Sequence, residues 1–250
     1  MPGATRPLLK LTAIVIAGLA GVATLVSLGV WQVHRLAWKR DLIERVEQRV
    51  HAPAVAAPGR EQWPQVNVAN SEYRHVSVQG HYLHDRETLV QAVTERGGGF
   101  WVLTPLQTAD GHVVMVNRGF VPPNRRDPAT RQEGQIEGLT TVTGLLRISE
   151  SGGAYLRSNE PAADRWYSRD VAAIAAARGL ADVAPYFIDA DATANEARAG
   201  NAPVGGLTVI RFSNNHLQYA LTWFALASMV AAGTFLVLRH EWRSRKLPAS

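Results

Sequence analysis

The 250-residue sequence contains no cysteine. This absence excludes disulfide bonds, thiolate metal sites, covalent haem attachment through a CxxCH motif and a copper relay built on cysteine. It leaves the compartment open, because disulfide-free proteins occur on both sides of a membrane. Methionine is also scarce, since only Met115 and Met229 follow the initiator. Because Cu(I) favours thiolate and thioether ligands, the composition argues against copper delivery.

Signatures of several enzyme and nucleic-acid-binding classes are missing as well. The sequence has no nucleophile elbow, P-loop, Rossmann fingerprint or HExxH motif. The net charge is +5, but the basic residues gather beside apolar runs, which favours a membrane surface over nucleic acid. The sequence therefore predicts a protein that is not an enzyme and binds no nucleic acid. The competing enzyme hypothesis requires a polar cleft with converging titratable groups in the soluble domain.

Two uncharged runs, Leu11–Val33 and Leu217–Leu238, are each long enough to cross a bilayer core of about 30 Å. A signal peptide is the alternative for the first run, but the aromatic and basic residues that follow it are typical of a membrane interface. Ala17 and Gly21 form a small-xxx-small pair in the first run, and Gly29 follows. These residues predict a close contact with the second helix, although alanine and glycine are abundant throughout the chain.

Basic residues at both ends determine the predicted orientation. The positive-inside rule places both termini in the cytoplasm, although basic residues also follow the first helix. Long loops translocate largely regardless of charge, so the prediction stands. The predicted segments are a head (1–10), a first transmembrane helix (11–33), a soluble α+β domain (34–215), a second transmembrane helix (216–238) and a basic tail (239–250).

Alternating apolar and polar residues predict strands in the region between the two runs. The first helix is expected to continue over Trp38–Val50, and the proline-containing segment 52–64 reads as a linker or extended arm. A turn is predicted at Arg96–Gly99, a helix over Asp170–Gly179 and a polar loop over residues 191–206. The fold class is therefore two transmembrane α-helices flanking an α+β, mainly antiparallel β soluble domain, either a sheet or a barrel. The predicted strands are Tyr73–Tyr82, Glu87–Thr94, Phe100–Leu106, His112–Phe120, Thr140–Ile148 and Ala184–Ala190.

The junction RFSNNHLQYALTWF (211–224) carries the strongest candidate residues. His216 lies directly before the second uncharged run, and an ionisable residue in or near a bilayer is a functional candidate. At helical spacing His216 shares one face with Tyr219, Trp223 and two alanines, Ala220 and Ala227. The alternative is that the aromatic residues form an interfacial belt and His216 is a solvated helix cap.

Two further candidates lie in the soluble domain. Arg118 is predicted in a rigid turn next to Gly119, where it binds a carboxylate or phosphate or forms a structural ion pair with Asp127 or Glu133. Residues 81–85 (HYLHD) contain two histidines and an aspartate, but a zinc site needs three or four ligands. A solvated strand end is the favoured interpretation of that segment.

Six segments together resemble the SURF1 family of cytochrome c oxidase assembly proteins in their order and spacing. Phe120 is a departure, because the family usually has Trp after the NRG turn. The segments are GVWQVHRLAWK (29–39), VQGHY (78–82), VLTPL (102–106), NRG with the following VP (117–122), NNHLQYA (214–220) and TWF (222–224).

The resemblance implies a membrane-anchored assembly factor that receives haem a and passes it to oxidase subunit I. His216 matches the histidine proposed as the haem ligand in bacterial members, and Tyr219 and Trp223 would flank the macrocycle. The expected partners are subunit I, haem a synthase and membrane lipid. The expected location is the inner (plasma) membrane, with both termini cytoplasmic and the central domain periplasmic. The alternative is a haem-free scaffold that stabilises subunit I during assembly.

Overall fold

The computed structural model describes residues 5–154, 156–192, 202–208 and 214–246. The chain divides into two units, one formed by Met1–Arg45 with Arg211–Ser250 and the other by Val46–Ile210. The helices are α1 (Thr5–His51), α2 (Val171–Ala177) and α3 (His216–Lys246). The strands are β1 (Val55–Ala56), β2 (His75–Tyr82), β3 (Thr88–Thr94), β4 (Gly97–Thr108), β5 (Val113–Val121), β6 (Thr140–Ile148) and β7 (Val183–Ala190).

Helices α1 and α3 are the two long apolar helices that the sequence predicts. By length and composition they can cross a membrane, because an 18-residue window within Leu9–His51 has a mean hydropathy of 2.3 and one within His216–Ser244 has 1.9. The predicted continuation of the first helix over Trp38–Val50 is confirmed, because α1 is unbroken to His51. The fold class expected from the sequence is therefore confirmed at this level.

Five strands of the second unit close into a barrel in the order β2, β6, β7, β5, β4. The ring closes because β2 pairs with β6 along one part of its length and with β4 along another. All of these pairings are antiparallel except that of β5 with β7. The short β1 lies parallel to β2, and β3 lies antiparallel to β4. The domain is thus mainly antiparallel, as predicted.

Gly80 is the residue at which β2 leaves one neighbour and joins the other. It pairs with Thr140 of β6 and with Thr108 of β4. A Cβ atom at this position would lie 2.4 Å from the carbonyl oxygen of Gln107, so a larger side chain does not fit without a backbone shift. Gly80 therefore lies at a barrel corner, where glycine permits close backbone approach.

Strand β5 is buried along its whole length because each of its faces is covered. Val114 and Val116 belong to the first core cluster, which β2, β4, β6 and β7 also line. Met115 belongs to a second cluster with Phe187 and with Ile174 of α2. Side chains alternate between the two faces of a strand, and full burial of one such side chain contributes about 1.5–3 kcal/mol.

Helix α2 forms where the alanine-rich segment predicted it. Asp170 is its N-cap, and the side chain accepts a hydrogen bond from the backbone N–H of Ala173 at 3.1 Å. Gly179 follows the helix with a φ of +61°, a left-handed conformation that suits glycine. The predicted helix and its glycine stop are both confirmed.

The turn predicted at Arg96–Gly99 is wrong in its position. The turn consists of Glu95 and Arg96, and the three following glycines are the first residues of β4. A Cβ atom at Gly99 would lie 2.5 Å from the Phe120 ring. Gly99 therefore serves close packing against β5, whereas a Cβ atom at Gly97 or Gly98 would meet no atom within 4 Å.

Two loop predictions also need correction. The proline-containing segment 52–64 is not simply extended, because it contains β1 and the start of a 3₁₀ helix at Arg60–Gln65. In the polar loop predicted over residues 191–206, residues 193–201 lie outside the described residues. Val204, near its end, exchanges two backbone hydrogen bonds of 2.9 Å with Phe120.

Candidate functional site

Small residues bring α1 and α3 close together as an antiparallel pair. A Cβ atom at Gly18 would lie 2.5 Å from Thr234 Oγ1, and one at Gly29 would lie 2.6 Å from the Phe224 ring. Glycine at such positions lets two membrane helices approach closely. The close contact predicted from the sequence is confirmed for Gly29 and likewise for Gly21, where a Cβ atom would lie 3.5 Å from Val230.

One member of the predicted small-residue pair does not take part in this contact. Ala17 is exposed, and the neighbouring Gly18 is buried in its place. On α3, Ala220 and Ala227 are 2% and 5% exposed. The contact face of α3 therefore contains both alanines that the helical spacing placed on one face with His216.

His216 is the first residue of α3 and forms a hydrogen bond with α1. Its Nδ1 lies 2.7 Å from Oε1 of Gln32. A carbonyl oxygen only accepts, so Nδ1 carries the proton and donates it. In a neutral ring with this proton the lone pair is on Nε2, which has no hydrogen-bond partner among the residues that the structure describes. A neutral imidazole in this tautomer is a ligand for a metal centre such as haem iron.

The two aromatic candidates differ in exposure. Tyr219 is 54% exposed, whereas Trp223 is half-buried, as is His216. His216, Ala220 and Trp223 thus lie on the face turned to α1, and Tyr219 lies at its exposed margin. The structure leaves the roles of Tyr219 and Trp223 toward a cofactor as predictions.

Gln32 is a functional candidate that the sequence interpretation missed. It lies in the segment 29–39 near the end of the first apolar run, and its side chain contacts His216. An amide in an apolar helix has a strong tendency to find a hydrogen-bond partner on a neighbouring helix. That tendency was the available signal, but it does not identify a partner 184 positions away.

Arg118 lies inside β5, because the strand continues through Gly119 to Val121. The rigid turn predicted at Arg118 is therefore wrong. The residue is 1% exposed, its Nη2 donates to the Gly134 carbonyl, and its guanidinium carbon lies 5.1 Å from the centre of the Tyr82 ring. Burial raises the pKa of Tyr82 to about 12, although Arg118 opposes this shift. Such burial makes Arg118 a poor candidate for binding an external phosphate, and the predicted ion pair with Asp127 or Glu133 remains a prediction.

Two histidines of the barrel domain, His81 and His84, lie in different surroundings. His81 is exposed at the end of β2, as expected for a solvated strand end. His84 bonds through Nε2 to the Ile136 carbonyl at 2.9 Å. Within the described part of the chain, no three His, Asp or Glu side chains are placed to hold one metal ion.

The barrel domain also has an open pocket of about 580 Å³. Glu87 is held there by Arg131, whose Nη1 donates to it at 2.9 Å. Asp164 accepts from Arg178 at 2.6 Å, and Asp127 caps a 3₁₀ helix. These partners give three of the pocket's carboxylates structural roles, so no reaction is assigned to it. Its titratable lining residues are His84, Asp85, Glu87, Arg126, Asp127 and Asp164.

A buried ion network joins β6, β7 and the segment before α2. Asp189 is 4% exposed and accepts from Arg147 at 3.0 Å and from Arg169 at 3.1 Å. Asn117 and Thr208 donate to the same carboxylate at 2.7 and 2.9 Å. Because each charge in this network has a partner, the network fits a structural role.

A sequence profile of the SURF1 family matches residues 19–228, which include part of each apolar run and the whole barrel. Surfeit locus protein 1 of Mus musculus is 38% identical over 222 residues, which cover 82% of this chain and 69% of the mouse protein. Surfeit locus protein 1 of Homo sapiens is 37% identical over 222 residues, covering 82% of this chain and 71% of the human protein. A SURF1-like protein of Monosiga brevicollis is 36% identical over 231 residues, covering 88% of this chain and 85% of that protein. On this evidence the chain belongs to the SURF1 family.

Proposed function

We propose that this protein is a membrane-anchored assembly factor for cytochrome c oxidase, which binds haem a through His216 and passes it to subunit I. Membership of the SURF1 family supports the assembly role, since the sequence resembles that family of oxidase assembly proteins. Helices α1 and α3 are the candidate membrane anchor. The haem a is cargo, so the protein itself undergoes no net chemical change.

The hydrogen bond between His216 and Gln32 is the observation that carries the haem-binding proposal. It holds the imidazole in the tautomer whose Nε2 lone pair is available. A neutral imidazole binds haem iron axially, and no charge has to be placed in the apolar helix pair. Tyr219 and Trp223, one turn and two turns further along α3, provide aromatic surface for a flat apolar macrocycle.

Release of the cargo is as necessary as its binding. A single imidazole is a softer attachment than a closed set of several ligands, and it suits a protein that transfers haem to subunit I. A site at the end of α3 lies near the membrane interface, where cargo and partner meet by lateral movement. Haem a synthase is the proposed donor of the cargo, and membrane lipid surrounds the helix pair.

The arrangement of α1 and α3 supports a topology with both termini on one side. Lys10 near the start of α1 lies 4.0 Å from Glu241 near the end of α3. Basic residues at both ends favour the cytoplasmic side of the inner (plasma) membrane. The barrel domain is then periplasmic.

The haem-binding proposal is tested by the visible absorption spectrum of the purified full-length protein, co-expressed with haem a synthesis. His216→Ala removes the proposed ligand. His240→Ala is the matched control, because His240 is an exposed histidine on the same helix. We expect a haem a band in the parent and in the control, and loss of that band in His216→Ala.

Two other results would contradict the proposal. Haem retained in His216→Ala would mean that the ligand is elsewhere. Absence of haem from the parent, with oxidase assembly intact, would favour the haem-free scaffold. Circular dichroism of each variant checks that helix content is unchanged.

A further inference from the structure

We infer that Gln32 is a positioning residue for His216, fixing its tautomer and setting its strength as a ligand. The inference rests on the proposed function, because it concerns how the same histidine receives haem. Gln32 is one of the last residues of the first apolar run and lies on the side of α1 that contacts α3. Nothing in the family match assigns a role to an individual residue of α1.

The geometry of the contact explains the tautomer. Gln32 presents Oε1 to Nδ1 at 2.7 Å, so the proton resides on Nδ1. Without that acceptor, the proton is free to occupy Nε2, and the nitrogen needed for iron is then blocked. A ligating histidine commonly donates its other ring N–H to a protein acceptor, and loss of the acceptor typically costs 10–100-fold in affinity.

The neutral amide also explains why the ligand remains releasable. A carboxylate partner at this position raises the basicity of the imidazole and strengthens its bond to iron. It also places a charge within a helix pair whose facing stretches are otherwise uncharged. An amide supplies the acceptor without that charge. Gln32 therefore orients His216 while keeping it a moderate ligand, as a transfer protein requires.

Packing around Gln32 also restrains its contact with His216. Gln32 is half-buried, and its neighbours on the α1 contact face include Gly29 and the buried Leu36. The amide is thus held by packing on the same face that brings the helices together. A histidine at the first position of a helix otherwise has few restraints, so the bond to Gln32 reduces its freedom before haem arrives.

The first test needs no haem. The full-length protein, with ¹⁵N-labelled histidine and in detergent, gives ring-nitrogen shifts that report each tautomer, and His216→Ala identifies the His216 signals. We expect the Nδ1–H form in the parent and a shift toward the Nε2–H form in Gln32→Leu. Gln218→Leu is the matched control, because it makes the same change at an exposed position of α3. An unchanged tautomer in Gln32→Leu would overturn the inference.

In the second test, haem a is titrated into the parent, Gln32→Leu and Gln218→Leu. Gln32→Leu should weaken binding 10–100-fold, and Gln218→Leu should bind as the parent does. Gln32→Glu keeps an oxygen acceptor at the same distance from the backbone, so it should restore binding and lower the reduction potential of the bound haem. A purely structural contact would not shift that potential in the rescued variant.

The two proposals fail in different ways. If the parent binds no haem, the proposed function fails, while the tautomer measurement still decides the role of Gln32. If the parent binds haem and Gln32→Leu binds equally well, the positioning role is wrong and the haem-binding role stands. Unchanged potential in Gln32→Glu would contradict the part of the inference that concerns ligand strength.

Discussion

In the barrel domain, three arginines with little solvent exposure are paired with carboxylates. Arg131 pairs with Glu87, while Arg147 and Arg169 share Asp189. In the helix pair, the contact at the start of α3 joins two neutral groups, the imidazole of His216 and the amide of Gln32. The charged groups of the ion pairs already bond to each other, whereas the imidazole keeps one nitrogen available to bind a ligand. The difference fits a stabilising role for the polar network of the barrel and agrees with the proposed ligand role of the helix pair.

The largest expected effect comes from breaking the barrel network at Asp189. Asp189→Asn keeps the shape of the side chain but removes the buried charge that Arg147 and Arg169 share, and leaves them Glu72 and Glu150 as partners. Breaking a buried ion pair costs about 3–5 kcal/mol. We expect the midpoint of denaturant-induced unfolding of the full-length protein to fall to a lower denaturant concentration. Near-UV circular dichroism of the barrel aromatics monitors this transition.

Glu160→Gln is the control for that prediction. It removes an exposed partner of Arg165, and both side chains are about half exposed. Exposed pairs contribute little to stability, so the unfolding midpoint should stay close to that of the parent. Equal destabilisation by the two variants would contradict the structural role of the buried network.

An intermediate effect is expected from filling the contact between the two long helices. Gly29→Ala places a methyl group against the Phe224 ring, where overpacking costs about 1–3 kcal/mol. Because the chain has no cysteine, the pair Gly21→Cys and Val230→Cys forms a unique cross-link that reports helix contact. We expect Gly29→Ala to slow that cross-link several-fold in detergent.

Gly233→Ala is the matched change on α3. A Cβ atom there meets no atom within 4 Å, so the cross-linking rate should match that of the parent. The methyl group also favours helix formation by up to about 1 kcal/mol. A cross-linking rate that Gly29→Ala leaves unaltered would show that the close approach is unnecessary for helix pairing.

The smallest expected effect is a pH dependence of the barrel domain through His75. Its Nδ1 lies 3.0 Å from the carbonyl oxygen of Ala52, and its Nε2 lies 2.8 Å from a carboxylate oxygen of Asp191. Both oxygens accept hydrogen bonds. Burial acts to lower the pKa of His75, but the bonds to Asp191 and Ala52 outweigh it and the net pKa is raised above 6.5. A raised histidine pKa gives stability that is present below pH 6.5 and is lost as pH rises through the folded value.

Asp191→Asn isolates this contribution, because His84 and His112 have pKa values lowered by burial and titrate with the opposite sign. The stability difference between the parent and Asp191→Asn should be largest below pH 6.5 and shrink toward pH 9. A difference independent of pH would contradict a protonated His75 in the folded protein.

Local patterns were enough to predict most elements of the fold. Uncharged runs predicted α1 and α3, and the strand prediction for β6 matches its observed bounds, Thr140–Ile148. The alanine-rich segment predicted α2 because Asp170 and Gly179 mark its ends. These signals are local in sequence, and the structure did not override them.

Features that depend on distant residues could not be predicted in the same way. The parallel pairing of β5 with β7 and the closure of β2 onto β4 depend on strand order. The glycines after Arg96 resemble a turn, but Phe120 on the neighbouring strand requires a small residue at Gly99. His216 was identified from its position beside an apolar run, while Gln32 could be identified only from the packing of α1 against α3.

The most direct test of the account is the haem a content of cytochrome c oxidase from cells that carry either the parent or His216→Ala. The two forms of the protein must be present at equal levels in the membrane. If the helix pair transfers haem through His216, oxidase from the variant should contain much less haem a than oxidase from the parent. Equal haem a content in the two enzymes would contradict the account and leave the protein as a scaffold for subunit I.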